Sequence, residues 1–345
     1  MSLLQHGSGC RSGTIDCGWT VEDRRVTSIA AVVVTFNRKT LLVECLRALL
    51  AQTLPLDQII VVDNASTDGT ADLLHETGLL ESPTVRYLRL EHNTGGAGGF
   101  HAGMEAAYNE GHDWIWLMDD DAEPASDALE RMAPYFGRED ISALAPMVTD
   151  AMWRDEYVEP HRGMRLDGEI AGVVRVLKPE ETVGRDTLEI THCSFVGPLF
   201  HRRVVDQVGL PFAKFFIHYD DYEYVQRARR AGPVLLVMAA KIAHKEARNT
   251  DRLQTRTFLT HKVDRPKYDS LWLAYYGYRN VVWLTKEAKS PLNNLRLITR
   301  HARRLAEVIA YDDQKWRRIR FWNAALSDGW TGRFKNDKPK QLLRR

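Results

Sequence analysis

Residues 29–35, IAAVVVT, are apolar or β-branched without a break. A strand with one wet face alternates polar and apolar residues, so an unbroken run of this kind belongs in a sheet buried on both faces. Residues 58–63 (QIIVVD) and 114–117 (WIWL) repeat the pattern, and 85–90 (VRYLRL) read as a further strand. Between the first two lies a helical pattern from residue 39 to about 52. Leu42, Cys45, Leu46, Leu49 and Leu50 fall at helical spacing, and Pro55 ends it. Residues 64–70, NASTDGT, form a turn with cap chemistry that leads into a helix near Ala71. Strand–helix alternation with short loops predicts an α/β fold with a doubly wound, mainly parallel sheet. Ligands of such sheets bind beyond the C-terminal strand ends.

Those ends carry the polar chemistry. The run MDDDAEP (118–124) follows the third apolar run directly. Three carboxylates there are costly to bring together unless a cation neutralises them. Asp119 and Asp121 alternate along an extended backbone and so point the same way. Their hard oxygen donors suit Mn2+ or Mg2+, shared with the phosphates of a substrate. An isolated DxD is more often a solvated acidic loop, but here two more polar features occupy the same edge. Asp63 closes its strand, where it accepts either from a nucleotide or, as a cap, from the next helix. The glycine run GGAGGF, residues 95–100, is neither a Walker loop nor a dinucleotide fingerprint. It reads as a tight turn with close helix–sheet packing, or as backbone amides, Gly96 among them, facing a diphosphate.

The second half is more mixed. Residues 141–200 read as irregular, with strands near 170–176 and 188–193. The stretch SFVGPLF (194–200) contains a Gly-Pro bend suited to lining a pocket. Helices are expected over 202–208 and 219–231, and a strand over 233–239 that leads to His244. HYDDYEY (218–224) is a second acidic cluster, at a helix N-terminus whose dipole would favour acids in any case. Two carboxylates after an aromatic pair exceed what capping requires, and a general base also needs such a positioned carboxylate. His244 is either structural or, with two aspartates, part of a divalent-metal shell.

At 345 residues the chain can bury one large core or two intimate ones. It has no apolar run of about 18 residues and no N-terminal basic flank before an apolar core, so neither a membrane span nor a signal peptide is expected. Cys10, Cys17, Cys45 and Cys193 have no zinc-type spacing, which fits a reducing, cytoplasmic setting. The net charge of +1 hides an asymmetry: residues 286–345 hold sixteen Lys/Arg against six Asp/Glu, a local +10 that leaves −9 for the rest. That region is interleaved with Trp316, Phe321, Trp322, Trp330 and Phe334. Basic residues with large aromatics fit the inner face of an anionic membrane, ahead of a solvated helical face or a nucleic-acid patch. The expected division is an N-terminal segment (1–27), a catalytic domain (28–265) and a helical, basic, membrane-associating region (266–345).

In this order VVVTFNR (32–38), QIIVVDNASTDGT (58–70), HNTGGAGGF (92–100), the DDD run, FVGPLF (195–200) and HYDDYEY resemble the inverting glycosyltransferases of family 2. The resemblance covers roughly residues 29–250 and looks most like the bacterial galactofuranosyltransferases, with rhamnosyltransferases as relatives. It implies the A-type glycosyltransferase fold and transfer from a nucleotide-sugar donor, UDP-galactofuranose or dTDP-rhamnose, to a lipid-linked or oligosaccharide acceptor. By motif position, Asp119, Asp121 and His244 would hold the metal, and Thr35, Arg38, Asp63 and Asn93 the nucleotide. Asp120 would lie near the ribose or diphosphate, Asp221 would be the base, and Asp220 would orient the acceptor. The chain is too short for the extra domains of polymerising members, which implies a short, initiating type. A sugar nucleotidyltransferase would need a basic, glycine-rich triphosphate loop near its N-terminus, which VVVTFNRKT does not supply. A non-catalytic carbohydrate-binding protein would have little need for both acidic clusters.

Overall fold

Strand β1 (Ile29–Thr35) lies between two parallel neighbours, β2 (Gln58–Asp63) and β4 (Trp114–Asp119), and β3 (Val85–Arg89) adds to the outer edge of β2. Every residue of β1 is buried, and alternate side chains serve opposite cores. Ala31 and Val33 join Leu42, Leu46 and Leu49 of helix α1 (Lys39–Leu50). Val32 and Val34 join Phe100 and Met104 of α3 (Gly95–Asn109) on the other face. Helix α2 (Thr70–Glu76) links β2 towards β3. The unbroken apolar runs therefore mark strands covered by helices on both sides, as expected. The structure, a computed structural model, describes residues 27–150, 164–165, 175–245, 253–258 and 260–344. The expected N-terminal segment up to residue 26, Cys10 and Cys17 with it, lies outside them.

Past β4 the direction becomes mixed. The sheet order is β3-β2-β1-β4, then β10 (Leu199–His201), β6 (Ala143–Asp150), β11 (Val234–His244) and β5 (Ala122–Pro124), with β9 (Thr187–Ile190) also on β11. Strand β5 (Ala122–Pro124) and helix α4 (Ala128–Met132) precede β6 (Ala143–Asp150), which runs parallel to β11 (Val234–His244). The backbones of β7 (Met164–Arg165) and β8 (Arg175–Val176) pair with each other, and most of the strand expected near 170–176 lies outside the described residues. After α5 (Pro179–Thr182), β9 (Thr187–Ile190) pairs with the start of β11, and β10 (Leu199–His201) is antiparallel to both β4 and β6. Helices α6 (Arg203–Val208) and α7 (Asp220–Ala228) fall where periodicity put them.

The irregular reading of 141–200 is corrected by β6, a long strand in the middle of the sheet. Pro146 concealed it, because proline lacks the N–H of a ladder and is confined to edges or bulges. Here Pro146 faces Val237, where the register of β11 jumps to Lys241. The bulge absorbs the missing donor. It also extends β11 past the expected 233–239, so His244 is the last residue of the strand.

A hairpin of β12 (Leu253–Phe258) and β13 (His261–Pro266) precedes four helices: α8 (Leu271–Glu287), α9 (Pro291–Tyr311), α10 (Lys315–Thr331) and α11 (Lys338–Arg344). Tyr275, Tyr278, Val282, Leu297, Val308, Phe321 and Trp322 form their shared core. Two of the aromatics expected on a membrane-facing surface, Phe321 and Trp322, thus hold the bundle together. Trp316 and Trp330 are exposed. Arg265 of the hairpin pairs with Asp312 and Glu307, tying β13 to this bundle. Among the described residues no helix is long and apolar enough to cross a membrane.

Candidate active site

The end of β4 and the end of β11 meet through β5, whose Ala122 sits opposite His244. This pairing folds the acidic loop back, and the Lys245 amide donates to the Asp121 carbonyl at 2.9 Å. Asp119, Asp121 and His244 each offer a ligand atom, all within 4.8 Å of one another. His244 and Asp121 are buried, with His244 Nε2 3.0 Å from Asp121 Oδ1. Two carboxylates and an imidazole form a donor set that fits Mn2+ or Mg2+. Burial alone would raise the Asp121 carboxyl, but His244 and Arg38 outweigh it and hold it below its ordinary value.

Asp120 turns the other way. It is buried, accepts from Thr35 Oγ1 at 2.7 Å and from Arg38 at 3.2 Å, and burial pushes it up to about 6. The Arg38 guanidinium also reaches Asp121 at 2.8 Å, so one half-exposed cation spans both acids. Thr35 and Arg38 are thereby placed against the acidic loop.

Asp63 is fully buried. It accepts from the Ser66 amide (2.8 Å), Tyr87 Oη and Arg89 (2.9 Å). The capping alternative is thus realised as a turn, and Arg89 is brought to the same edge. Asn64 is the link that the sequence reading missed. Its Nδ2 donates to the Gly95 carbonyl (2.7 Å) and its Oδ1 accepts from the Thr94 amide (2.8 Å), joining the end of β2 to the start of α3. Asn93 Oδ1 accepts from the Gly95 amide at 2.7 Å.

The glycine run forms the first turns of α3. Most of it serves packing. A Cβ on Gly99 would lie 2.5 Å from Val34, and one on Gly95 only 2.0 Å from the Phe216 carbonyl oxygen. Gly96 is different, since a Cβ there meets nothing within 4 Å.

That contact with Phe216 joins the first acidic edge to the second. The Ala97 amide donates to the Phe216 carbonyl at 3.0 Å, and four residues later α7 begins at Asp220. Asp220 is buried while Asp221 is half-exposed. Burial, then the neighbouring Asp221 charge, drive the Asp220 carboxyl well above its ordinary value. Burial and the same Asp221 charge push the Cys193 thiol up, which places Asp221 beside the segment after β9. The Asp221 carboxylate also acts on Tyr219, where Arg304 and Arg300 of α9 oppose it.

A mainly parallel sheet with an Asp-x-Asp turn at its edge, closed by a histidine from a distant strand, defines the A-type glycosyltransferase fold. Two solved structures support this at the level of fold. A crystal structure of GalNAc-T7 with UDP, GalNAc and Mn2+ has a TM-score of 0.55 at 16% identity, covering 66% of this chain and 44% of that one. A crystal structure of S. aureus TarS 1–349 has a TM-score of 0.51 at 13% identity, covering 92% and 91%. The model of glycosyl transferase family 2 matches residues 30–209, just over half of the sequence, and the chain belongs to that family. Among curated relatives, the galactofuranosyltransferase GlfT1 of Mycolicibacterium smegmatis is 33% identical over 205 residues. The match covers 59% of this chain and 66% of that protein, so it spans just under two thirds of the relative's length.

Proposed function

We propose that the protein is a metal-dependent inverting glycosyltransferase. It moves galactofuranose from UDP-galactofuranose to a hydroxyl of a lipid-linked glycan acceptor in cell-wall or surface polysaccharide synthesis. The observation that carries this reading is the convergence, on one sheet edge, of the Asp119–Asp121–His244 donor set with the open face of Gly96. Galactofuranose is favoured by the likeness to GlfT1.

In this reading Asp119, Asp121 and His244 would hold a divalent ion, which would supply positive charge for the departing diphosphate. Thr35, Arg38, Asp63 and Asn93 place the nucleotide, and Asp120, held by Thr35 and Arg38, lies near its ribose or diphosphate. The α3 amides add fixed donors towards the diphosphate. Asp221, the more exposed of its pair, takes the proton from the acceptor hydroxyl. The acceptor oxygen bonds to the anomeric carbon as the bond to the diphosphate breaks, inverting configuration. Asp220 orients the acceptor from below. Asp221→Asn is expected to abolish transfer and leave UDP affinity within about twofold, a difference of under 1 kcal/mol. Equal loss of both would remove Asp221 from this role.

The surface of α9 supports a lipid-linked acceptor. Leu292, Leu295, Ile298 and Ile309 are exposed on one side of this helix at 54–62%, with Arg296, Arg300 and Arg303 beside them. An apolar stripe flanked by arginines suits the anionic inner face of the cell membrane, where the protein would bind peripherally. Because Arg300 and Arg304 act electrostatically on Tyr219, that stripe belongs to the helix flanking the base.

The test is nucleotide release with Mn2+ and a lipid-extract acceptor, comparing UDP-galactofuranose with dTDP-rhamnose. Acceptor-dependent release from UDP-galactofuranose alone is expected. Release only from dTDP-rhamnose would replace the donor, and release from neither would overturn the reading.

A further inference from the structure

The segment that delivers Asp220 and Asp221 is strained and held from outside. Phe216 has φ 66°, and the Ile217 amide bonds back to the Phe215 carbonyl at 2.8 Å, a γ-turn of the rare, strained kind. His218 and Tyr219 follow with φ 69° and 65°. Each such non-glycine residue is strained and persists only where the surroundings over-determine it.

Two adjacent residues of α8, both fully buried, supply that determination. Asn280 Nδ2 faces three carbonyl oxygens, those of Phe215 (3.1 Å), Ile217 (3.1 Å) and His218 (2.8 Å). Its two N–H groups are shared among three acceptors, which also fixes the amide's orientation, since the reverse would set oxygen against oxygen. Arg279 Nη2 donates to the Phe215 carbonyl at 2.9 Å, and its Nη1 to Asn336 Oδ1 at 2.9 Å. Burial lowers this guanidinium to about 10, and the rings of Tyr276 and Phe334 lie 5.2 and 4.7 Å from it. A buried arginine whose hydrogen bonds go to neutral oxygens is expensive. Such an arrangement is better explained by the turn it holds than by bundle stability. The Phe216 ring stacks on Tyr276 of the same helix, with centroids 4.6 Å apart.

We propose that Asn280 and Arg279 are positioning residues for transfer: from the C-terminal bundle they lock the 215–219 turn and so fix where α7 presents Asp221. This rests on the reading of Asp221 as base. The C-terminal helices are then part of the acceptor half of the active site as well as a docking surface.

The test uses the full chain with Asn280→Asp, which keeps shape but turns an acceptor towards three carbonyls, and Asn280→Ala. Tyr278→Phe is the control: it removes the bond from Tyr278 to His301 (2.7 Å) in the same bundle without touching the turn. For both Asn280 variants we expect UDP affinity with Mn2+ and donor KM within about twofold of wild type, and kcat down about 100-fold, as for a misplacement near 1 Å. Amide hydrogen exchange should accelerate over 212–222 in these variants alone. Unchanged kcat with unchanged exchange would overturn the proposal. So would a fall in UDP affinity parallel to kcat, or an equal kcat loss in Tyr278→Phe, since either marks general destabilisation. If the wild type transfers neither sugar, the functional reading fails by itself, and exchange over 212–222 still decides whether Asn280 holds the turn.

Discussion

Two adjacent glycines at the start of α3 should respond in opposite ways to one added methyl group. Gly95 has φ +75°, and its Cβ position lies 2.0 Å from the Phe216 carbonyl oxygen and 2.8 Å from the Phe216 ring. Alanine there pays about 1–2 kcal/mol for the left-handed backbone. It adds about 1–3 kcal/mol of overpacking, and about 1 kcal/mol if Ala97 loses its bond to Phe216. The carbonyl cannot yield cheaply, because Asn280 and Arg279 hold the peptides on either side. Gly95→Ala is therefore expected to lose about 3–6 kcal/mol, a melting decrease of roughly 4–8 °C for a chain of this length. Gly96→Ala meets nothing within 4 Å, and it replaces a helical glycine, so stability should hold or rise by about 0.5–1 kcal/mol. If that open face receives the diphosphate, the same methyl should weaken UDP binding at least about tenfold. Thermal melts and calorimetric titration of UDP with Mn2+ separate the two effects. A Gly95→Ala protein melting within 2 °C of wild type would refute the close approach, since that is about half the smallest decrease expected. Wild-type UDP affinity in Gly96→Ala would refute the ligand role.

Asp121→Asn and His244→Ala should each weaken Mn2+-dependent UDP binding about 10–100-fold, the scale for disturbing a metal's surroundings. Binding measured in chelator should not change, and an equal loss there would point to misfolding instead. Asp220 has a folded-state pKa raised by burial and by Asp221, so the folded state holds its proton more tightly than the unfolded chain. Its contribution to stability is present below about pH 4 and is lost as pH rises through the raised value. Asp220→Asn should thus melt higher than wild type, by a margin larger at pH 8 than at pH 5; a margin independent of pH would contradict the assignment. On α9, Leu295→Glu with Ile298→Glu should reduce co-sedimentation with phosphatidylglycerol vesicles several-fold and leave the melting temperature unchanged. Undiminished sedimentation would rule out this face as the lipid contact.

The parallel half was legible because its signals are local. Unbroken apolar runs, helical spacing and strand-end acids each announce their place within a few residues, and β1, β2, β4 and the Asp119–Asp121 turn lie where those signals put them. The glycine run offered two readings: the structure shows close packing at Gly95 and Gly99 and leaves room for the other reading at Gly96. What stayed hidden depends on partners far along the chain. Pro146 reads as a strand breaker until the bulge opposite it, some ninety residues later, is in view. Asn64 reads as a cap because its partners lie some thirty residues later, two of them backbone groups of Thr94 and Gly95 that carry no side-chain signature. Arg279 and Asn280 suffer most. On an amphipathic helix two polar residues suggest a solvated face, and their acceptors are carbonyls about 60 residues earlier.

The turn at Phe216 shows why these two halves cannot be treated apart. One side of its peptide meets α3, through the Ala97 amide and the bare Cα of Gly95. The other side meets α8, through Asn280, Arg279 and the Tyr276 ring. The helix that begins at the glycines also presents Gly96 at the donor edge, and the helix that follows the turn carries Asp221. A displaced turn would therefore shift the proposed base relative to the proposed donor site, and positioning of that kind enters the rate exponentially. Strain in three left-handed residues is tolerable because contacts from both sides oppose its release. Geometry between the acids of β4 and those of α7 is thus set by a segment that contains neither, which is why substitutions at Gly95 and Asn280 are informative although neither residue is placed to touch substrate.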